Sequence, residues 1–454
     1  MKTIKMYTKW IALALAGSLF GVCISCSDPL YKLPDIQAAG ADITEFNLAN
    51  LLCTIDDESG VITIDVTPDF DMNLLKNLVP TTFKLSPYAT ISPDRSVSQD
   101  FSKDVQYTVT AEDGTQKVWT VKTSKYVTLS QGVGYSRLMW YKTQAELGLT
   151  ANAENTVATF GDYIVVSRTG LIFDATTGES AGLLNQTGIP GSGAQAVFVL
   201  TNDDEGNLIG ATLTGWSGKL YVYKWTALDQ NPIQIVEYTP QTGEAFARKI
   251  HVSGNINGNA YIVIDNYTAY RNDEMYCWKV TGGTVNQTPE ILKTDLQLYS
   301  QTGYSLAFPK SGTALLPYYY YDTGTTANEN PSTVLKYVDE NNHSTVINPY
   351  GGWGGRIYHA LYFPFNHIDC LTVLSLTSDN KYRFFVVDPT DLSAPAVRFS
   401  YDMPYNYAVE GTNGNNTAGI AVKRISDDVV YVYVLMTSKG MACYMVTDYT
   451  LAEE

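Results

Sequence analysis

The sequence predicts an all-β protein in two parts, an N-terminal immunoglobulin-like β-sandwich followed by a β-propeller of six blades, or seven if one is divergent. Three observations predict it. No long stretch carries a 3.6-residue apolar period. Short alternating apolar runs bounded by turn residues recur throughout. Beyond residue 127 such runs come in pairs roughly every 45–60 residues, the period of a four-stranded propeller blade.

The first element is an address. Lys2, Lys5 and Lys9 precede an uncharged run over residues 10–22, a basic region and apolar core too short to span a bilayer as a stable anchor. Ser25-Cys26 places a small residue directly before a cysteine, as lipoprotein processing requires, whereas Val22-Cys23 places a bulky one there. Residues 1–25 therefore read as a lipoprotein signal peptide, Cys26 as the acylated N-terminus, and residues 26–34 as a tether. Several acyl chains on one residue give stable membrane attachment where a single chain does not.

Residues 35–125 read as the sandwich. In "VITIDVTP" Ile62, Ile64 and Val66 share one face. "DMNLLKNLVP" reads as one helical turn, and residues 105–121 as a hairpin turning at Asp113-Gly114. The architecture is expected without the Cys…Trp…Cys hallmark of antibody domains.

Residues 127–454 read as the propeller. Six apolar segments, "GDYIVVS", "GNLIGATL", "GNAYIVI", "GTALLPYY", "CLTVLSL" and "DVVYVYVLM", are each followed by a second strand. "YSRLMWYKTQAEL" near residue 140 is available to complete the last sheet, since an open ring would leave an exposed strand edge. A parallel solenoid fits less well because its repeats are shorter. Cys277 and Cys443 fall on equivalent strands of the third and sixth blades. With Cys53 and Cys370 they are expected to be buried free thiols, their spacing being wrong for structural zinc.

The formal net charge of −16 becomes more negative once three lysines leave with the leader. Such a surface argues against nucleic acid and against a polybasic contact with anionic lipid. Chemistry-bearing motifs are few. The four histidines form no HExxH, and there is no nucleophile elbow or Walker loop, so no catalytic residue, metal or cofactor is assigned. His359 and His367 flank the aromatic run "YHALYFPFNH", a place for a ligand or a metal, or more simply for loop hydrogen bonds. "TNDDEGN" starts like a calcium loop but lacks the later glutamate, and reads as a turn. Asp174, Asp339, Asp388 and Asp448 recur at equivalent strand ends, which suits a repeated turn function.

The chain's 33 tyrosines and 7 tryptophans carry the binding argument, because a flat apolar body with a polar tip suits wet interfaces and sugar rings. "NPYGGWGGRIYH" (348–359) is the leading candidate for a binding loop. Trp353 offers a stacking plane, Arg356 a planar donor fork, and Tyr358 follows them. "YDMPYNYAVEGTNGNN" (401–416), with Tyr405 and Tyr407, is a second aromatic loop, and Trp216 in "LTGWSGK" completes the set. The competing reading is that these aromatics fill contacts between blades.

The "ISCSD" lipobox, the segment "ISPDRSVSQDFSKDVQYTVTAEDGTQKVWTVK" and the motifs "LMWYKTQAEL" and "GNLIGATLTGWSGKLYVYKW" together resemble outer-membrane lipoproteins of gut Bacteroidetes. In these, an N-terminal immunoglobulin-like domain of unknown function precedes a β-propeller. The resemblance spans nearly the whole chain, and "DFS…YTVTAEDGT" is its most specific part. It implies association with glycan acquisition, a spacer lifting a binding module above the outer membrane, and no catalytic residues to carry over. Surface export in this group tends to use acidic residues soon after the lipidated cysteine, and here only Asp28 precedes Pro29. Outer membrane is therefore the expected location. The expected function is non-catalytic binding of a polysaccharide or oligosaccharide. The alternatives are a scaffold that docks an envelope protein, and a glycoside hydrolase or lyase working at the propeller channel.

Overall fold

The computed structural model describes residues 38–451, except for residues 50, 67–69, 150–155, 191–196, 268–273, 295–304, 323–333, 348–355, 378, 380, 394, 408–417 and 437–438. The protein is all-β apart from two four-residue helical turns among the described residues, and no described helix is long and apolar enough to cross a membrane. The chain separates into two compact units, Met1–Tyr126 with Ala452–Glu454, and Val127–Leu451.

In the first unit, Ile43–Asn47 (β1), Leu52–Asp56 (β2), Val61–Val66 (β3), Thr82–Leu85 (β4), Thr90–Ser92 (β5), Val105–Thr110 (β6) and Gln116–Thr128 (β7) form two sheets. One pairs β1 with β4, and the other runs β2-β3-β7-β6-β5. The expected face of Ile62, Ile64 and Val66 is buried, and β6 and β7 form the expected antiparallel hairpin. The expected helical turn is the 3₁₀ segment Met72–Leu75, capped by Asp71. A meander of hairpins does not anticipate that β3 and β7 pair in parallel. The two sheets share one core in which Phe46, Phe83, Phe101, Tyr107 and Trp119 are fully or nearly buried. Edge-to-face contacts at 5.3–6.1 Å link the Phe and Tyr rings, and the Trp119 indole N–H donates to the Ala41 carbonyl at 3.1 Å, so the largest side chain leaves no unmet donor.

The second unit begins with Ser136–Thr143 (β8) and continues as successive antiparallel sheets. The first holds Val157–Phe160, Tyr163–Val166, Leu171–Asp174 and Ser180–Leu183 (β9 to β12). The second holds Val199–Asn202, Leu208–Ala211, Leu220–Trp225 and Ile233–Tyr238 (β13 to β16). The third holds Phe246–Gly254, Ala260–Asn266, Glu274–Thr281, Thr284–Val285 and Glu290–Lys293 (β17 to β21). The fourth holds Leu306–Pro309, Tyr318–Asp322, Val334–Val338 and Ser344–Val346 (β22 to β25). The fifth holds Arg356–Phe365, Ile368–Leu376, Lys381–Asp388 and Ala396–Tyr407 (β26 to β29). The sixth holds Ala418–Arg424, Val429–Met436 and Gly440–Thr447 (β30 to β32), completed by β8 on β32, and a short strand Tyr449–Leu451 (β33) follows.

The six segment pairs read from the sequence are the second and third strands of these six sheets, and the segment near residue 140 completes the last. Consecutive sheets pack in order and the sixth returns to the first. At that return Gly419 lies so close to the first sheet that an added Cβ would sit 2.6 Å from the Val157 nitrogen, a distance only glycine permits. There Lys423 Nζ also donates to Asp162 Oδ1, and each of the other five junctions is bonded too: Leu200 N to Thr156 Oγ1 (first to second), Ile256 N to Asp203 Oδ2 (second to third), and Ser253 Oγ to Pro309 O (third to fourth). Tyr319 OH donates to Asp369 Oδ2 (fourth to fifth), and Tyr401 OH to Ser136 O (fifth to sixth). The four cysteines of the described chain are buried and free, Cys277 and Cys443 on the third strands of the third and sixth sheets.

Candidate functional site

Because strands alternate in direction within each sheet, the connection from first to second strand lies at one end of the six sheets and that from second to third at the other. This sorts the candidate residues. Trp216 lies in the helical turn Thr214–Ser217 between β14 and β15; Arg356 opens β26; Tyr405 and Tyr407 close β29. All four belong to one end, which we call the aromatic end. Arg356, Tyr405 and Tyr407 share the fifth sheet, while Trp216 belongs to the second. The two stretches read as aromatic loops are thus partly strand. Residues 356–365 pair with β27 and residues 396–407 with β28, since their tyrosines and phenylalanines suit a pleated, buried surface. Tyr358 is a core residue, 3 % exposed, edge-on to Tyr382 at 5.4 Å. Trp353 and Cys26 lie outside the described residues.

At the opposite end, which we call the turn end, the first strands of five sheets enclose a cavity of about 230 Å³. Its apolar wall comes from Val157, Val252, Phe363 and Ile420. Its polar groups are Thr201, Asn202, Asp203, Asp204, His251, Tyr362 and Arg424. Most of these are committed. Asp203 Oδ1 accepts from the Glu205 and Asn207 backbone N–H groups, and its Oδ2 accepts from Asn207 Nδ2 and Ile256 N. This is the turn read from "TNDDEGN", with an added bridge to the third sheet. Asn202 accepts from Thr159 N and donates to Thr159 O, and Tyr362 OH donates to Asp369 Oδ1. Asp204 Oδ2 accepts from Gly254 N at 2.6 Å. Arg424 is 54 % exposed and stands a loose 3.8 Å from Asp427.

On the side of the cavity away from the turn end, the first strands carry buried polar groups. A bulge in β17 puts Ala247 at φ 76° and frees the N–H groups of Arg248 and Lys249, which donate to Asp265 Oδ1 at 2.9 and 2.7 Å. Lys249, fully buried, sends Nζ from the third sheet across to the Ala418 carbonyl of the sixth at 3.0 Å. Burial drives both groups toward their neutral forms, Lys249 down to about 7 and Asp265 up to about 7. His251 and His359 are also buried. Desolvation lowers His251 to about 3, and desolvation, then the nearby Lys249 and His251, push His359 well below the ordinary histidine value. The tautomer of His251 follows from its neighbours. Ser253 Oγ spends its one proton on Pro309 O at 2.6 Å, so it accepts from His251 Nε2–H at 3.0 Å.

Of the repeated aspartates, Asp174, Asp339 and Asp388 each accept from N–H groups two to four residues on. Asp448 differs: it is buried, and desolvation beside Asp428 raises its carboxyl to about 6. His359 stands on β26 in the interior, and His367 follows that strand in its turn. The cavity residues His251, Tyr362 and Arg424, and the Lys249–Asp265 pair, were not singled out from the sequence. The one signal for the pair was a lysine set among apolar residues in "FARKIHVSG".

Residues 43–123 match the family described as SGBP, N-terminal, and residues 139–354 match a domain of unknown function, DUF8500. The comparison with curated proteins finds no match. A DUF4623 family protein from Bacteroides eggerthii has a similar fold, with a TM-score of 0.51 at 14% identity, covering 91% of this chain and 99% of that one. A putative secreted protein from Bacteroides fragilis is 24% identical over 19% of this chain and 96% of its own, with a TM-score of 0.16. A mutant of AofleA from Arthrobotrys oligospora aligns over 68% of this chain and 89% of its own at 11% identity and a TM-score of 0.42. The first unit is therefore similar to the N-terminal part of a glycan-binding family of Bacteroidetes.

Proposed function

We propose that this protein is a non-catalytic, lipid-anchored glycan-binding lipoprotein of the bacterial outer membrane. In this reading Cys26 carries the lipid, residues 35–125 are an immunoglobulin-like spacer, and residues 127–454 are a six-bladed β-propeller. The match of residues 43–123 to the SGBP N-terminal family carries the proposal. Two further features support it: the cyclic order of six sheets of four or five strands, the last completed by β8, suits a propeller, and Trp216, Arg356, Tyr405 and Tyr407 come to one end of it. In this reading Trp353, a few residues before Arg356 in the sequence, is the residue that stacks on a sugar ring.

Affinity electrophoresis of the mature protein against a polysaccharide panel tests the reading. At least one polysaccharide is expected to retard the protein, and Trp353→Ala is expected to weaken that retardation about tenfold, or ~1.4 kcal/mol. Silence across the panel overturns the proposal. Cys26→Ala is expected to release the protein from the membrane fraction, and unchanged fractionation would refute the anchor.

A further inference from the structure

We propose that the cavity at the turn end holds a single terminal pyranose ring of a neutral glycan, with Asp204 accepting from its hydroxyls and Arg424 donating to them. The inference rests on the glycan-binding reading and adds a second site at the opposite end from the aromatic residues. Size comes first. At about 230 Å³ the cavity is smaller than the roughly 300–1,000 Å³ of pockets for larger ligands, so one ring fits and a run of rings does not. Access comes next. Lys249 bridges the third and sixth sheets behind the cavity, so a ligand enters from the turn end and a chain is held by its terminus.

Chemistry then narrows the class. The aliphatic and aromatic wall of Val157, Val252, Phe363 and Ile420 suits the C–H face of a sugar ring. Asp203, Asn202 and Tyr362 already meet donors and acceptors within the protein. Asp204 and Arg424 keep capacity to spare: one Asp204 oxygen accepts from Gly254 N, and Arg424 is held only loosely. A ligand bearing both donors and acceptors satisfies a carboxylate and a guanidinium together, through charge-assisted hydrogen bonds. The −16 net charge disfavours an anionic ligand.

Saturation-transfer NMR on the mature full-length chain tests this with methyl α- and β-pyranosides of glucose, mannose, galactose and N-acetylglucosamine. Asp204→Asn keeps an acceptor for Gly254 N–H, and Arg424→Ala alters an exposed side chain, so both variants are expected to fold. At least one glycoside is expected to bind, and to bind at least tenfold more weakly in either variant. If polysaccharides bind but every glycoside is silent, or if both variants bind like the parent, the cavity site is overturned and the glycan-binding reading stands. If neither polysaccharide nor glycoside binds, both fall.

Discussion

At the aromatic end of the six sheets, Arg356, Tyr405 and Tyr407 come from one sheet, in stretches whose aromatic and glycine content marks them in the sequence. At the turn end, the cavity is assembled from five sheets, and Asp204 and Arg424 are more than 200 positions apart in the chain. The difference teaches that a local compositional signal marks stretches of one sheet, whereas a cavity built from five sheets is visible only once those sheets pack together. It also teaches that aromatic content alone does not separate binding residues from core. Tyr358 and Tyr405 come from the two marked stretches, yet Tyr358 is buried against Tyr382.

That last contrast gives the largest expected effect. Tyr358→Ala deletes a buried ring and is expected to cost about 3–5 kcal/mol, as large-to-small core changes do. Urea denaturation followed by tryptophan fluorescence measures it. Tyr405→Ala is expected to weaken polysaccharide binding while leaving the denaturation midpoint near the parent. Similar destabilisation by both substitutions would erase the distinction between the two tyrosines.

The axis behind the cavity comes next. Lys249→Ala leaves Ala418 O without its side-chain donor and opens a void at a fully buried position, at an expected cost of about 3 kcal/mol. Lys249→Met fills the same space without a charge and is expected to cost less, because the charged form is already disfavoured by burial. Thermal and urea unfolding of the two variants in parallel provide the check. Equal losses would mean that packing alone, not the polar bridge, holds the third sheet to the sixth.

A smaller effect is expected at the cavity wall. Asp203→Ala orphans four donors, among them Ile256 N of the third sheet, and is expected to cost about 2 kcal/mol. It is also expected to weaken glycoside binding, because Asp204 is positioned by the same turn. Binding retained at full strength would show that the turn is not part of the site.

Much of the fold was legible because its signal is local. The second and third strands are apolar and bounded by turns, and in the third, fifth and sixth sheets they are also long, as in 260–266 and 429–436, so each stood out without its neighbours. The outer strands did not. Ser180–Leu183 is exposed at all four positions and Ser344–Val346 at all three, so nothing in their composition distinguishes them from loop. The first strands fail for the opposite reason. They are buried yet short, as in 157–160 and 306–309, or are broken by polar residues that the axis accommodates, such as Lys249 and His251. A charged residue in a buried strand contradicts period-two patterning until its partner is known, and here the partners belong to other strands and a distant sheet.

The smallest effect tests whether those axial groups respond to acid. His251 and His359 have folded pKa values below the ordinary 6.5, so they favour folding fully above that value, and their contribution is lost as pH falls toward the folded values. Asp265 has the opposite sign. Its raised folded value of about 7 means that the folded state holds a proton that the unfolded chain releases, so acidification from pH 7 toward 4 recovers stability. Lys249, lowered to about 7, exerts its effect above that pH. Asp448, raised to about 6, shares the sign of Asp265, so the two histidines and the two aspartates oppose one another as pH falls below about 6. His359→Phe, placed beside Tyr321, removes one of the two histidines and is expected to make stability fall less, or rise more, than in the parent as pH drops below about 6.5. Urea denaturation of parent and variant at half-unit pH steps reads the two slopes directly, and parallel curves would mean that the His359 ring gains a proton without cost, contrary to its burial between the third and sixth sheets' polar bridge and the fourth sheet's tyrosines.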